Sequence, residues 1–284
     1  MKLIILSGRS GSGKTTALQA LEDLGYYCVD NLPLGLLPTL ARQLSEEQHH
    51  VERIALGIDA RNLPHQLENF PTILHQLDGV DLHCEIVFLD AEQDTLLKRF
   101  SATRRKHPLS NDNLSLIEAI EHEATLLAAI RTMADLVIDT TQLDVHTLRD
   151  MIRDRVAKRR DQLSLLVKSF AYKRGVPHDA DLVFDMRVLP NPYWHLELRQ
   201  LNGRDQAVRD YLDQQPESVR MLDDLCRFLA DWLPGYERND RTYMTVAIGC
   251  TGGQHRSVYM VEALRERLSH IGVAVQWRHL ELDH

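Results

Sequence analysis

The residues Gly8-Arg9-Ser10-Gly11-Ser12-Gly13-Lys14-Thr15 carry the densest chemistry in the 284-residue chain. They fit G-x-x-x-x-G-K-[ST], follow the apolar run Leu3-Ile4-Ile5-Leu6, and precede a helical pattern. Peptide N–H groups in such a turn form an anion nest, and the positive end of the following helix adds to it. Lys14 is expected to reach the β- and γ-phosphates of ATP, and the Thr15 hydroxyl to ligate Mg²⁺. Hydrolysis requires Lys14 and Mg²⁺ to neutralise phosphate charge. Asp90, ending the run Ile86-Val87-Phe88-Leu89, is the candidate Walker-B-like carboxylate, with Asp30 as the other choice.

A second anion nest is expected at Cys250-Thr251-Gly252-Gly253-Gln254-His255-Arg256-Ser257, where an apolar run again enters a glycine turn and then a helix. The Arg256 guanidinium can take two phosphate oxygens at once. The spacing C-x-x-G-x-x-R-S is also that of a cysteine phosphatase, in which a thiolate attacks phosphorus. Three readings stay open: a Cys250 nucleophile, a nest that only holds a phosphorylated small molecule or an RNA phosphate, and a structural turn. No aspartate stands out as the general acid that the first reading needs.

These loops need strands to carry them. Expected strands lie at 2–7, 26–29, 53–58, 85–89 and 134–139, with helices at 15–24, 34–44, 95–105 and 116–130. Strands separated by helical crossovers give an α/β parallel sheet, with helices on both faces and ligands at the carboxyl ends. A basic helix is expected over 146–162, with Arg153, Arg155, Lys158, Arg159 and Arg160. A boundary near residue 160 then separates a smaller C-terminal α/β domain. Extended segments are expected there at 163–172 and 181–189, one or two helices at 207–233, a strand at 242–248, a helix at 256–270 and a strand at 273–277.

The composition is that of a soluble globular protein: 44% hydrophobic and 26% charged. No apolar run approaches the roughly 18 residues of a membrane span. The first strand begins after Met1-Lys2, leaving no room for a signal peptide. Cys28, Cys84, Cys226 and Cys250 lie far apart with no C-x-x-C pair, which points to a reducing cytoplasm. A formal charge of -8 argues against a surface that grips nucleic acid everywhere, and neither half is basic.

With both loops in view, the chain resembles the RapZ/YvcJ family of bacterial P-loop proteins, the RNase adapters, over essentially its whole length. The resemblance rests on the two loops and on Leu24-Gly25-Tyr26-Tyr27-Cys28-Val29-Asp30-Asn31-Leu32-Pro33. It also rests on Asp59-Ala60-Arg61-Asn62, Arg104-Arg105-Lys106-His107-Pro108-Leu109 and Pro190-Asn191-Pro192-Tyr193-Trp194. It implies ATP and GTP binding with slow hydrolysis, and self-association into a homo-oligomer. Gly8 to Thr15 match the family's ATP site, and Asp59, Ala60, Arg61 and Asn62 its guanine-nucleotide site.

The resemblance further implies that the second domain binds small regulatory RNA, presents it to RNase E, and senses glucosamine-6-phosphate to control glucosamine-6-phosphate synthase. Thr251, Gly252, Gly253, His255, Arg256 and Ser257 would hold the sugar phosphate. The chain departs from enteric members at its end, where Glu281 and Asp283 replace expected cations. Lys168, Lys173, Arg174 and the basic helix remain as phosphate contacts. Arg104 and Arg105 stand where small-molecule P-loop kinases carry a mobile arginine lid. Two rival activities follow, a P-loop small-molecule kinase and a phosphatase using Cys250 and Arg256.

Overall fold

The computed structural model describes residues 1–46, 52–77, 80, 82–110, 114–157, 163–239, 241–268 and 274–282. The chain divides into two compact units, 1–159 and 160–284.

The first unit is built on five strands: β1 (Lys2–Gly8), β2 (Tyr27–Val29), β3 (Arg53–Gly57), β4 (His83–Asp90) and β5 (Leu136–Asp139). They pair in the order β2-β3-β1-β4-β5, every pair parallel. Their near-continuous apolar sequences reflect burial on both faces. Leu3 and Ile5 join a cluster with Leu34, Leu37, Phe70 and Ile130, while Ile4 and Leu6, pointing the other way, are as completely buried. The helices are α1 (Lys14–Glu22), α2 (Leu37–Glu46), α3 (Pro64–Glu68), α4 (Phe70–His75), α5 (Gln93–Thr103), α6 (Leu116–Leu126), α7 (Ala128–Thr132) and α8 (Val145–Met151).

Three details differ from the sequence expectation. Residues 64–75 form two short helices, each with a proline in its first turn. The helix expected over 116–130 stops at Leu126, and the hinge residue Leu127 (φ −90°, ψ 0°) starts α7. The basic helix is α8 followed by a wider π-type turn, Ile152–Ala157; Lys158, Arg159, Arg160 and the expected boundary lie outside the described residues.

The second unit has its own parallel sheet. Strands β6 (Ser164–Ala171), β7 (Leu182–Asp185), β8 (Tyr243–Cys250) and β9 (Ala274–His279) pair in the order β7-β8-β6-β9. All eight residues of β6 and all eight of β8 are buried. Helices α9 (Gln206–Asp213), α10 (Pro216–Arg238) and α11 (Arg256–Leu268) supply Leu212, Leu222, Leu225, Leu229, Met260 and Leu264 to one core with Val167, Val246 and Ile248. Both glycine-containing loops therefore sit where an inner parallel strand hands over to a helix, at the carboxyl edge of its sheet.

Candidate functional site

In the first loop, Gly8 takes φ +146° and Gly13 takes φ +102°, the latter capping α1 in the left-handed region that favours glycine. A Cβ on Gly8 would stand 2.1 Å from the Leu89 carbonyl oxygen, so β1 and β4 approach only because residue 8 has no side chain. The Lys14 ammonium donates to the carbonyls of Gly8 (2.7 Å) and Arg9 (3.2 Å), lying across the loop. Burial pushes its pKa below the ordinary lysine value; Glu123, Asp59 and Asp30 oppose that shift, and Arg61 adds to it.

The loop opens into a cleft of about 620 Å³, lined from Ser10 to Thr16 along the loop and by Asp30, Asp59, Arg61, Arg99, Arg105, Lys106 and Thr140. The phosphate loop and two residues of the expected guanine-nucleotide stretch thus share one cleft. Asp59 is buried, and its carboxylate accepts from the Arg61 side chain at 2.6–3.1 Å and from the Arg61 peptide N–H at 2.9 Å. Burial alone would raise the Asp59 pKa. The Arg61 hydrogen bonds, with the charges of Lys14 and Arg61, outweigh it and hold the carboxyl below its usual range.

Ala60 and Asn62 are buried and absent from the cleft wall. Asn62 accepts from the Leu34 N–H (2.7 Å) and donates to the Leu32 carbonyl (3.2 Å), which makes it a bracket for the 32–34 turn.

Asp90 is placed differently from its expected role. Its carboxylate accepts from Arg9 Nε at 2.6 Å, from Arg131 Nε at 3.4 Å and from the Ala91 N–H at 2.9 Å. It does not line the cleft. The carboxylates that share the cleft with Lys14 and exposed Thr15 are Asp30, Asp59 and Asp144, the last of which caps α8 by accepting from the Thr147 N–H (2.7 Å). A hydroxyl and one or two carboxylates are the hard oxygen donors that Mg²⁺ takes together with nucleotide phosphates.

Sequence reasoning missed Arg99, whose guanidinium donates to the Gly11 carbonyl (3.0 Å) and the Thr140 carbonyl (2.5 Å). It also missed Glu123, which is fully buried and accepts from the Ser10 N–H (2.8 Å) and hydroxyl (2.7 Å). One signal was available for Glu123. It falls in register with Ala119, Ile120 and Leu127 on the apolar stripe of its helix, where a carboxylate is out of place unless partnered.

In the second loop, Gly253 takes φ +69°, and a Cβ there would meet Glu281 Cγ at 2.5 Å. Thr251 is exposed, and Gly252 has open space where a Cβ would point. Arg256 begins α11 almost fully buried. Its Nη1 donates to the carbonyls of Arg187 (2.9 Å) and Leu189 (3.0 Å), and its Nη2 lies 3.5 Å from the Thr251 hydroxyl. Its Nε, also buried, has no hydrogen-bond partner.

His255 Nε2 lies 3.1 Å from the Leu198 carbonyl, so that nitrogen carries the proton. Burial pushes the His255 pKa below its ordinary value; the bond to Leu198 opposes that and the Arg256 charge adds to it. Cys250 is 3% exposed with its Sγ 3.1 Å from the Ser257 hydroxyl. The arrangement offers an anion two things, the open turn at Thr251 and Gly252 and the arginine at its base. The Cys250 thiol is buried beneath it, against the Ser257 hydroxyl.

The expected RNA contacts separate. Lys168 is buried in an ion pair with Asp179, which removes it from any phosphate. Lys173 is exposed, its N–H directed at the Thr251 carbonyl (3.4 Å). Arg174 is exposed with Nε 3.2 Å from Glu281. In the other unit Arg153 pairs with Asp150 (2.9 Å) and Arg155 is buried. Beside the second nest, the Arg187 guanidinium lies 3.8 Å from the Tyr172 ring centroid and forks onto Asp185.

Comparison with known proteins covers the chain end to end. The family model for the RapZ-like N-terminal domain matches residues 1–160, and that for the RapZ C-terminal domain matches residues 163–283. A nucleotide-binding protein of Alcanivorax borkumensis is 59% identical over 282 residues, which is 99% of this chain and 100% of that protein. One from Pseudomonas fluorescens is 53% identical over 285 residues, the whole of both chains. Among solved structures, a sugar kinase from Janibacter is similar over 53% of this chain and 91% of that one, at 16% identity and a TM-score of 0.38.

Proposed function

Because the chain belongs to the RapZ family of nucleotide-binding proteins, we propose that it is a nucleotide-dependent RNA adapter whose two phosphate loops have different tasks. The first loop takes ATP or GTP with Mg²⁺ and hydrolyses it slowly. The second unit holds a small regulatory RNA for RNase E, and its nest senses glucosamine-6-phosphate. The protein works as a homo-oligomer in the cytoplasm.

The nucleotide half of this reading is carried by one observation: the phosphate loop, Lys14, Thr15, Asp30 and Asp59 all face a single cleft. Lys14 neutralises phosphate charge, and Thr15 with Asp59 or Asp30 supplies oxygens for Mg²⁺. Mg²⁺ held by those oxygens would supply neutralisation of the charge on the transferring phosphoryl group. With ATP and GTP sharing one cleft, the two compete.

The sensing half is supported by Arg256. It has a buried Nε without a partner and a weak contact to Thr251 beside the open Gly252 turn. A phosphate seated on that turn gives the buried arginine the anion it lacks, a charge-assisted pairing. Exposed Lys173 and Arg174 flank the same nest as cations for RNA. A gel-shift titration with a structured bacterial small RNA at two salt concentrations, with and without glucosamine-6-phosphate, tests this half. Salt-sensitive binding that the sugar phosphate weakens, with that effect lost in Arg256→Ala, is the expected result. Binding at neither salt contradicts it.

One observation favours a second reading for the first unit. Asp30 and Asp59 line the cleft beside Lys14, and a carboxylate there could take the proton of an acceptor hydroxyl, the chemistry of a small-molecule kinase. Stoichiometric formation of one phosphorylated acceptor in a substrate screen is its test.

A further inference from the structure

The buried pair His107 and Glu123 has no part in the roles assigned so far, yet it lies directly behind the wall of the nucleotide cleft, bonded to Ser10 and next in sequence to Lys106. Each side chain is fully buried. Glu123 uses both oxygens on one loop residue, Oε2 accepting from the Ser10 N–H and Oε1 from the Ser10 hydroxyl. His107 Nε2 lies 3.1 Å from Glu123 Oε2. The proton position follows from the other ring nitrogen. Nδ1 accepts from the Leu109 N–H at 3.2 Å, so Nε2 bears the hydrogen and donates to Glu123. Three donors thus converge on a fully buried carboxylate, the condition under which a buried charge is tolerated.

The two ends of this chain of bonds matter. Ser10 belongs to the phosphate loop. His107 directly follows Arg105 and Lys106, both of which line the cleft. Between them Phe100 packs on His107, ring centroids 5.1 Å apart, and closes the space beside Gly11, where a Cβ would meet its ring at 3.4 Å. The loop and the basic segment, far apart in sequence, are pinned to the same buried anion.

We propose that Glu123 and His107 are positioning residues for nucleotide binding: Glu123 fixes the Ser10 peptide of the phosphate loop, and His107 locks Arg105 and Lys106 onto the same anchor, so that loop and cations meet the polyphosphate in one fixed arrangement. This rests on the nucleotide reading of the cleft and goes beyond it, because neither residue lines the cleft. The arrangement acts on the polyphosphate and leaves base and ribose contacts alone. Its signature is therefore a dependence on phosphate number, which a general loss of stability does not produce.

The test measures dissociation constants of ATP, GTP, AMP and GMP with Mg²⁺ for the full chain and its variants, with circular dichroism as the check of fold. His107→Leu removes the donor, and His107→Gln retains an N–H near the position of Nε2. In His107→Leu the ratio of triphosphate to monophosphate affinity is expected to fall about tenfold, the scale of one lost charge-assisted bond. His107→Gln should recover most of that ratio. Ser10→Ala, which keeps the peptide N–H bond and carries little risk to folding, should lose roughly threefold.

Parallel loss for tri- and monophosphates, an unchanged ratio in both His107→Leu and Ser10→Ala, or no recovery in His107→Gln overturns the proposal. If His107→Leu does not fold, Ser10→Ala and His107→Gln decide by the same ratio. A wild-type chain that bound none of the four nucleotides would instead remove the nucleotide reading, and this inference with it.

Discussion

Gly8 shows how narrow the tolerance at the first loop is. An alanine there places its Cβ 2.1 Å from the Leu89 carbonyl oxygen, backbone that cannot swing aside. Gly8→Ala should lower stability by about 2 kcal/mol or more, through overpacking between the two central strands. A melting curve without nucleotide checks this, and an unchanged midpoint refutes it. At this scale legibility depended on sequence distance. Gly8 to Thr15 form a contiguous motif whose spacing reveals its chemistry. Glu123 meets Ser10 across 113 positions, and no local pattern names its partner. Asp90 misled because a strand-end aspartate looks alike whether it faces a metal or, as here, Arg9 at 2.6 Å. Lys168 misled because a lysine in an apolar strand is marked as paired only once Asp179 is seen beside it.

Elements are tied together by buried polar links as well as by apolar packing. In the second unit, His279 on β9 bridges Ser169 on β6 (2.8 Å) and Glu262 on α11 (2.9 Å), with Arg204 Nε also 3.2 Å from Glu262. Burial alone would raise the Glu262 pKa. The hydrogen bond and charge of His279, with those of Arg204, outweigh it and set the carboxyl below the usual 4.5. A depressed carboxylate stabilises fully above its unfolded pKa, and the gain is lost as pH falls through the lower folded value. Glu262→Gln should therefore be less stable than wild type at pH 7, with the difference shrinking only below about pH 4.5. Denaturant midpoints across pH 3–7 measure it, and a difference independent of pH contradicts the assignment. Most strands were legible as apolar runs because both sheet faces are covered. The 64–75 helices were not, since each spans less than two turns and offers no clear period. The break at Leu127 was hidden because apolar residues continue across it.

For the whole molecule, charge sets the scale of any RNA contact. With a net charge of -8, attraction to phosphate must come from a few local cations. Those described beside the second nest are Lys173, Arg174 and Arg187. The slope of log K against log salt should accordingly be shallow, roughly two to three in magnitude. A slope several times steeper would require a basic surface beyond these residues. The two-sheet architecture was legible because each strand-loop-helix unit is local. The gathering of Asp30 and Asp59 with the phosphate loop was legible too, because all follow strands of one parallel sheet, whereas the turning of Asp90 away from the cleft was not.

That shared cleft is the central claim, and competition binding tests it most directly. A fluorescent GTP analogue is bound to the full chain with Mg²⁺ and titrated with ATP. One cleft predicts complete displacement along a single-site curve, and loss of analogue binding itself in Lys14→Ala. A chain that keeps the analogue bound at saturating ATP holds two nucleotides at once, and that result would contradict the account.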